Sequence, residues 1–248
     1  MVIAQPTRNP GLEVISTSDL VFYYDFELSS ARVVSGTLTN LLNRKTNGTE
    51  DLSVVTVSGY PNPITIERSI NGQGSIKCNN EGYARLTNAT NFHSTSFSLC
   101  FKFFATKAAT GDTLVQIYNN LSTNRIIMNV AFTVSSSSSS SDLTIKTWNT
   151  SGTLTNFVVS TNTFTQNQWY SVVISRSGTN WKIYINGVLL HNLINYNHST
   201  TRDQIMMFAI GFNPVNNADR FFGFIDDFRI YQRAITDEEA LTLHTSLA

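Results

Sequence analysis

Hydrophobic and polar residues alternate with a period of two along much of this chain, most cleanly in Gln168–Leu190. In Trp169–Arg176, Tyr170, Val172 and Ile174 share one face and Ser171 and Ser175 the other, the pattern of a half-buried strand. Ser177-Gly178-Thr179-Asn180 supplies turn chemistry. Trp181–Ile185 then resumes the alternation, with Trp181, Ile183 and Ile185 on one side. Asn186-Gly187 predicts a type I′ hairpin turn, which requires positive φ at two successive residues. Trp169 and Trp181 are both expected in a core.

The same reading predicts strands at Leu20–Leu28, Val54–Val57, Ile64–Ile66, Ser75–Cys78, Tyr83–Leu86 and Ser96–Phe104. Further strands are expected at Thr113–Tyr118, Arg125–Val134, Leu143–Trp148, Asn156–Ser160, Met206–Phe212 and Phe221–Tyr231. Ser29–Asp51 is polar with scattered Leu and Val and reads as a long loop holding one short strand. Residues 1–18, with Pro6, Pro10 and Gly11, read as an N-terminal arm, and residues 19–248 as one domain. Seven serines, Ser135–Ser141, interrupt the pattern. Strand signals resume on both sides of them, so they read as a mobile surface hairpin loop, not a linker between domains. The one predicted helix is Asp237–Thr245. Thr236 and Glu239 have the spacing of a capping box, and Asp237 and Glu238 suit the positive end of a helix dipole. Strands without intervening helices make this an all-β chain, a two-layer antiparallel sandwich with a short C-terminal helix.

Three stretches carry a family resemblance. Gln168–Leu190, QWYSVVISRSGTNWKIYINGVLL, resembles the central hairpin of concanavalin A-like, laminin-G-like jelly-roll domains. Phe222–Leu243, FGFIDDFRIYQRAITDEEALTL, is similar to that family's closing strand and helix, and Leu20–Leu28, LVFYYDFEL, to its first strand. The resemblance implies a jelly-roll sandwich whose commonest non-catalytic role is sugar binding. It also implies one calcium ion near the sandwich edge, held by oxygens of the first and last strands. The matching positions are Asp25 or Glu27 and Asp226 or Asp227. The alternative is that Asp226 or Asp227 pairs with Arg229 or caps a turn. The acid- and glycine-rich loop that usually follows the family's first strand is missing from Ser29–Asn40. For glycan stacking the aromatic candidates are Tyr23, Tyr24, Trp148, Tyr184 and Tyr196, beside Asn149, Asn195 and Asn197. Trp148, Tyr196 and Asn197, set among polar neighbours, are the expected ligand-binding residues.

Composition narrows the function classes. Hydrophobic residues at 41% suffice for a core, while charged residues are only 14%. Seventeen basic and seventeen acidic residues leave zero formal net charge, so no basic footprint for nucleic acid or anionic membrane is expected. No run of about 18 apolar residues is present for membrane insertion, and the first residues lack the pattern of a secretory signal. Cys78 and Cys100 are read as buried thiols or as a disulfide. No carboxylate pair has glycosidase spacing, since strand alternation sends Asp226 and Asp227 to opposite faces. His93, His191, His198 and His244 show no metal spacing. The expectation is a non-catalytic binding or assembly module for a glycan or protein surface. The alternatives are a structural subunit of a larger assembly, such as a virus capsid or surface appendage, and, more weakly, a glycoside hydrolase.

Overall fold

The computed structural model describes residues 19–27, 31–34, 37–45, 51–56, 64–68, 74–79, 82–89, 96–107, 112–119, 126–134, 141–148, 154–193, 206–214 and 219–245. The predicted arm at 1–18 lies outside them. In chain order the first strands are β1 (Leu20–Tyr24), β2 (Ala31–Val34), β3 (Thr37–Leu41), β4 (Leu52–Thr56), β5 (Thr65–Arg68) and β6 (Gly74–Asn79). Next come β7 (Gly82–Ala89), β8 (Ser96–Ala105), β9 (Asp112–Asn119), β10 (Ile126–Val134), β11 (Ser141–Trp148) and β12 (Leu154–Phe164). The chain ends with β13 (Trp169–Ser177), β14 (Asn180–Ile185), β15 (Val188–Leu193), β16 (Met206–Ile210), β17 (Phe222–Tyr231) and α1 (Asp237–Thr245).

Two antiparallel sheets face each other. One runs β15-β14-β13-β8-β17-β6-β5, with β1 also pairing β17. The other runs β12-β11-β10-β9-β16-β7-β4-β3-β2. Alternation explains which side chains meet between them. Phe97, Leu99, Phe101 and Phe103 of β8 all enter the core, as do Val172 and Ile174 of β13 and Trp181 and Ile183 of β14. Trp181 meets Phe97 edge-on, with ring centroids 5.8 Å apart. Phe103 contacts Phe132 of β10, Phe164 of β12 and Phe221 just before β17. Cys78 and Cys100 are buried free thiols on different clusters, and burial pushes the Cys78 thiol up to about 12.

The predicted local signals act as read. Asn186 and Gly187 take φ of 51° and 74°, as a type I′ turn needs. At α1, Glu239 N–H donates to Thr236 Oγ1 and Thr236 N–H to Glu239 Oε2, a complete capping box. Across the serine tract Val134 pairs with Ser141, so the tract joins neighbouring strands of one sheet.

Three expectations need correction. Ser29–Asp51 contains two strands, β2 and β3, where one was expected. Both pair within the nine-stranded sheet, through a register shift that obscures the period of two. Trp169 is half-buried on the outer face and packs on Phe104, with centroids 5.6 Å apart. Its neighbour Tyr170 points inward, so a regular strand must send Trp169 out. Tyr24 and Tyr184 are each 1% exposed and cannot stack on a sugar. Tyr24 belongs to the main core, and Tyr184 lies in the smaller apolar cluster that also holds Ala240 and Leu243 of α1.

Candidate functional site

The two outer faces of the sandwich differ. On the eight-stranded sheet, α1 covers an apolar cluster of Leu20, Cys100, Val173, Tyr184 and Tyr231. The polar groups there are engaged by protein. Ser98 Oγ donates to the Arg233 carbonyl (2.8 Å), and Ile235 N–H donates to both Ser98 Oγ and Ser175 Oγ (2.9 Å each). Tyr184 Oη donates to Asp237 (2.7 Å), and this contact together with burial raises its phenol above the ordinary range. Ser171 Oγ and His244 Nδ1 approach to 3.0 Å, but no carboxylate hydrogen-bonds His244 among the described residues, so the pair lacks the third group of a nucleophilic triad.

The predicted acids also lie along this sheet. β1 pairs β17 with Tyr24 opposite Phe228, bringing the segment after β1 beside Asp226 and Asp227 as expected. Each acid then meets a different partner. Asp25 accepts from Arg44 Nε at 3.0 Å, and Glu27 Oε1 accepts from Gly74 N–H at 3.0 Å. Gly74 has to be glycine, because a Cβ there would run into the Phe26 carbonyl. Asp227 Oδ1 accepts from both Nε (2.8 Å) and Nη2 (2.6 Å) of Arg229, whose charge Asp227 stabilises against the cost of burial. Asp226 Oδ1 accepts from the Asp227 amide at 2.7 Å. Burial, then the charges of Asp227 and Glu27, hold its carboxyl well above the usual range. The rule that alternation parts Asp226 and Asp227 fails here. A bulge between Asp226 and Arg229 leaves Asp227 at φ 52° as an extra residue, which sends Phe228 inward and lets Asp227 reach outward-facing Arg229. For calcium the donor set is thin. Arginines occupy Asp25 and Asp227, and no group of three or more His, Cys, Asp or Glu converges among the described residues.

The outer face of the nine-stranded sheet carries what sequence reading missed. Cross-strand register aligns Lys146, Asn129, Gln116, Ala209, Arg85, Ser53 and Asn40 in one row over seven adjacent strands. The row faces away from the core, since its strand neighbours Val130, Ile117, Phe208, Leu86 and Leu52 point inward. Asn129 Nδ2 donates to Gln116 Oε1 (3.0 Å) and Thr113 Oγ1 (2.9 Å), which fixes the Gln116 amide. Gln116 Nε2, Arg85 Nε and Tyr118 Oη are buried and receive no acceptor from the protein. Beside the row lies a buried aromatic cluster of Tyr83, Tyr118 and Phe212 with Met207 and Ala209. Tyr83 and Phe212 stack with centroids 4.8 Å apart. Burial, with a smaller push from Tyr83, drives the Tyr118 phenol up to about 12 against the opposing charge of Arg85. At one end of β9, Asp112 Oδ2 is buried without a partner, and burial followed by the Asp219 charge pushes its carboxyl up to about 7.

Of the predicted ligand residues, Tyr196 and Asn197 lie outside the described residues. Trp148 closes β11 opposite Leu154, at a register position two beyond Lys146, but its side chain lies outside the described part.

A family model for the concanavalin A-like lectin/glucanases superfamily matches residues 79–240. The chain belongs to that superfamily. No curated protein matches it in sequence. Among solved structures, this lectin/glucanase-type chain is similar to domain 4 of AbnA, a GH43 extracellular arabinanase from Geobacillus stearothermophilus, in complex with arabinotriose. The TM-score is 0.65 at 18% identity, covering 91% of this chain and 98% of that one. It is also similar to the binding domain of Paraclostridial Mosquitocidal Protein 1 (TM-score 0.65, 17% identity, 93% and 53% covered). The binding domain of Botulinum neurotoxin DC in complex with SialylT gives TM-score 0.64 at 17% identity, with 94% and 52% covered. The chain thus spans about half the length of these two toxin domains. At such identities the likeness establishes the fold. None of these structures supports a virion or capsid role.

Proposed function

We propose that the chain is a non-catalytic binding module that holds a glycan along the outer face of its nine-stranded sheet. The observation that carries this reading is the register-aligned polar row, in which Lys146, Arg85, Ser53 and Asn40 are half-exposed and able to meet a ligand. Sugar hydroxyls both donate and accept, which suits such a mixture of amide, hydroxyl and cationic groups. The row contains no carboxylate to act as acid or nucleophile, which favours binding over cleavage. The fold-level likeness to a domain solved with arabinotriose supports the same reading.

A glycan array followed by calorimetry on the best ligand tests it. Arg85→Ala and Asn40→Ala are expected to weaken binding tenfold or more, with Ser171→Ala on the opposite sheet leaving it unchanged. An array with no hits, or hits indifferent to Arg85 and Asn40, overturns the reading.

A further inference from the structure

We infer that the edge strand β15, with the exposed flank of α1, forms a surface for a second copy of this chain, so that the module associates as a two-fold dimer. The inference does not depend on which face holds the ligand. Hydrophobic exposure is concentrated here. Of the five large hydrophobic side chains exposed among the described residues, four are Val188 (60% exposed), Leu189 (37%), Leu190 (38%) and Leu241 (50%). They lie together. The first three follow one another on β15, and at the turn just before them a Cβ on Gly187 would stand 3.0 Å from the Leu241 Cα and Cδ1. Single exposed hydrophobics are routine, whereas a contiguous group marks a contact surface.

The local structure accounts for this exposure. β15 is the last strand of its sheet and pairs with β14 alone among the described residues. In a regular half-buried strand, alternation turns every second side chain toward the core. Here Ile183 pairs with His191 and Tyr184 with Leu189, which leaves Leu190 as an extra, bulged residue. Val188, Leu189 and Leu190 are then exposed in succession. The bulge interrupts any long edge-to-edge ladder, so side chains carry the contact, with the strand's outer backbone groups at its rim. The other edge of the same sheet is treated differently: β5 carries Glu67 and Arg68, whereas β15 has no Asp, Glu, Lys or Arg.

Charge selects the occupant. Lys182, opposite Asn192 of β15, already pairs with Asp237 at the start of α1 (2.6 Å), so a strongly charged partner gains little here. The acidic first turn of α1, Asp237, Glu238 and Glu239, disfavours an anionic bilayer. A second copy meets neither obstacle. Its patch is equally apolar, and the whole chain has zero formal net charge, so two copies approach without overall repulsion. A two-fold axis sets the same patch of each copy against the other and supplies the apolar centre that a homodimer interface has.

Sedimentation equilibrium on the full chain tests the inference. The wild-type protein is expected to reach twice its monomer mass in the micromolar range. Leu190→Lys and Leu241→Glu, both surface changes, are expected to raise the dissociation constant tenfold or more. Thr65→Lys, at an exposed position on the opposite edge strand β5, is expected to leave it unchanged, with thermal melts confirming that all three variants fold. A wild-type protein that stays monomeric overturns the inference. So does a dimer indifferent to Leu190 and Leu241, or one lost equally in Thr65→Lys. A monomer that instead sediments with phosphatidylcholine vesicles, and loses this in Leu190→Lys, assigns the patch to a bilayer and overturns it as well. Each of these outcomes leaves the glycan face standing.

Discussion

The outer faces of the two sheets are built from similar residues and end in opposite states. On the eight-stranded sheet, Ser98, Ser175, Asp227, Arg229 and Tyr184 are each bonded to another protein group, and α1 lies over the apolar remainder. On the nine-stranded sheet, Gln116 Nε2, Arg85 Nε and Tyr118 Oη are buried with donor capacity to spare. Buried polar groups in folded proteins nearly always find partners, so this concentrated exception sets the two faces apart.

The contrast is broken most forcefully at Arg229. Arg229→Ala strands the Asp227 carboxylate in a buried site and is expected to destabilise by about 3–5 kcal/mol, read as a fall in the urea midpoint. The same preparation addresses calcium. Arg229 already meets Asp227, and burial pushes the Asp226 carboxyl up and so disfavours its charge; melting in EDTA and in millimolar calcium is therefore expected to coincide. A lower melting temperature in EDTA, abolished by Asp226→Asn, would establish a cation between Glu27 and Asp226 instead.

Next in size is Asp112, at one end of β9 in the nine-stranded sheet. Its carboxyl is raised from 3.8 to about 7, so the fold favours the protonated form. Its contribution is most favourable below about pH 4 and declines as pH rises from about 4 to about 7, then stays level. Asp112→Asn is expected to stabilise the protein at pH 8, by at most about 4 kcal/mol at 1.36 kcal/mol per pKa unit, and to do little at pH 4. Equal effects at both pH values would remove the carboxylate as the cause.

The smallest effects sharpen the comparison most directly. Ser98→Ala on the covered face removes bonds to Arg233 and Ile235 and is expected to cost about 1–2 kcal/mol. Gln116→Leu on the nine-stranded sheet removes an amide whose Nε2 bonds nothing and whose Oε1 accepts from Asn129 Nδ2, which keeps its bond to Thr113, so the change in stability is expected to be less than about 1 kcal/mol. Chemical denaturation of the two variants side by side reads the difference.

The strands and the helix could be seen in the sequence because each depends on neighbours within a few residues: the period of two in Ser96–Phe104, the Asn186-Gly187 turn, the Thr236–Glu239 cap. The size of Trp169 points to the core, while the inward position of Tyr170 next to it requires the outer face. The bulge at Asp227 depends on pairing with β8, and nothing in the local pattern announces it. The polar row is further still from local information. Asn129, Gln116 and Arg85 each look like routine solvent-facing positions, and only the register of β10, β9, β16 and β7 lines them up.

The position of β17 also bears on how the protein comes into being. This strand lies inside the eight-stranded sheet, bonded to β8 along one side and to β6 and then β1 along the other. The pairing of Leu20 with Tyr231 joins residues far apart in the chain. Until β17 leaves the ribosome, β1 and β6 have open edges and that half of the sandwich has no centre. Such long-range pairing slows folding and delays it until β17 itself has been made. A chain cut short before Phe222 would therefore display unpaired strand edges of the kind that aggregate, and would not persist as a smaller working domain.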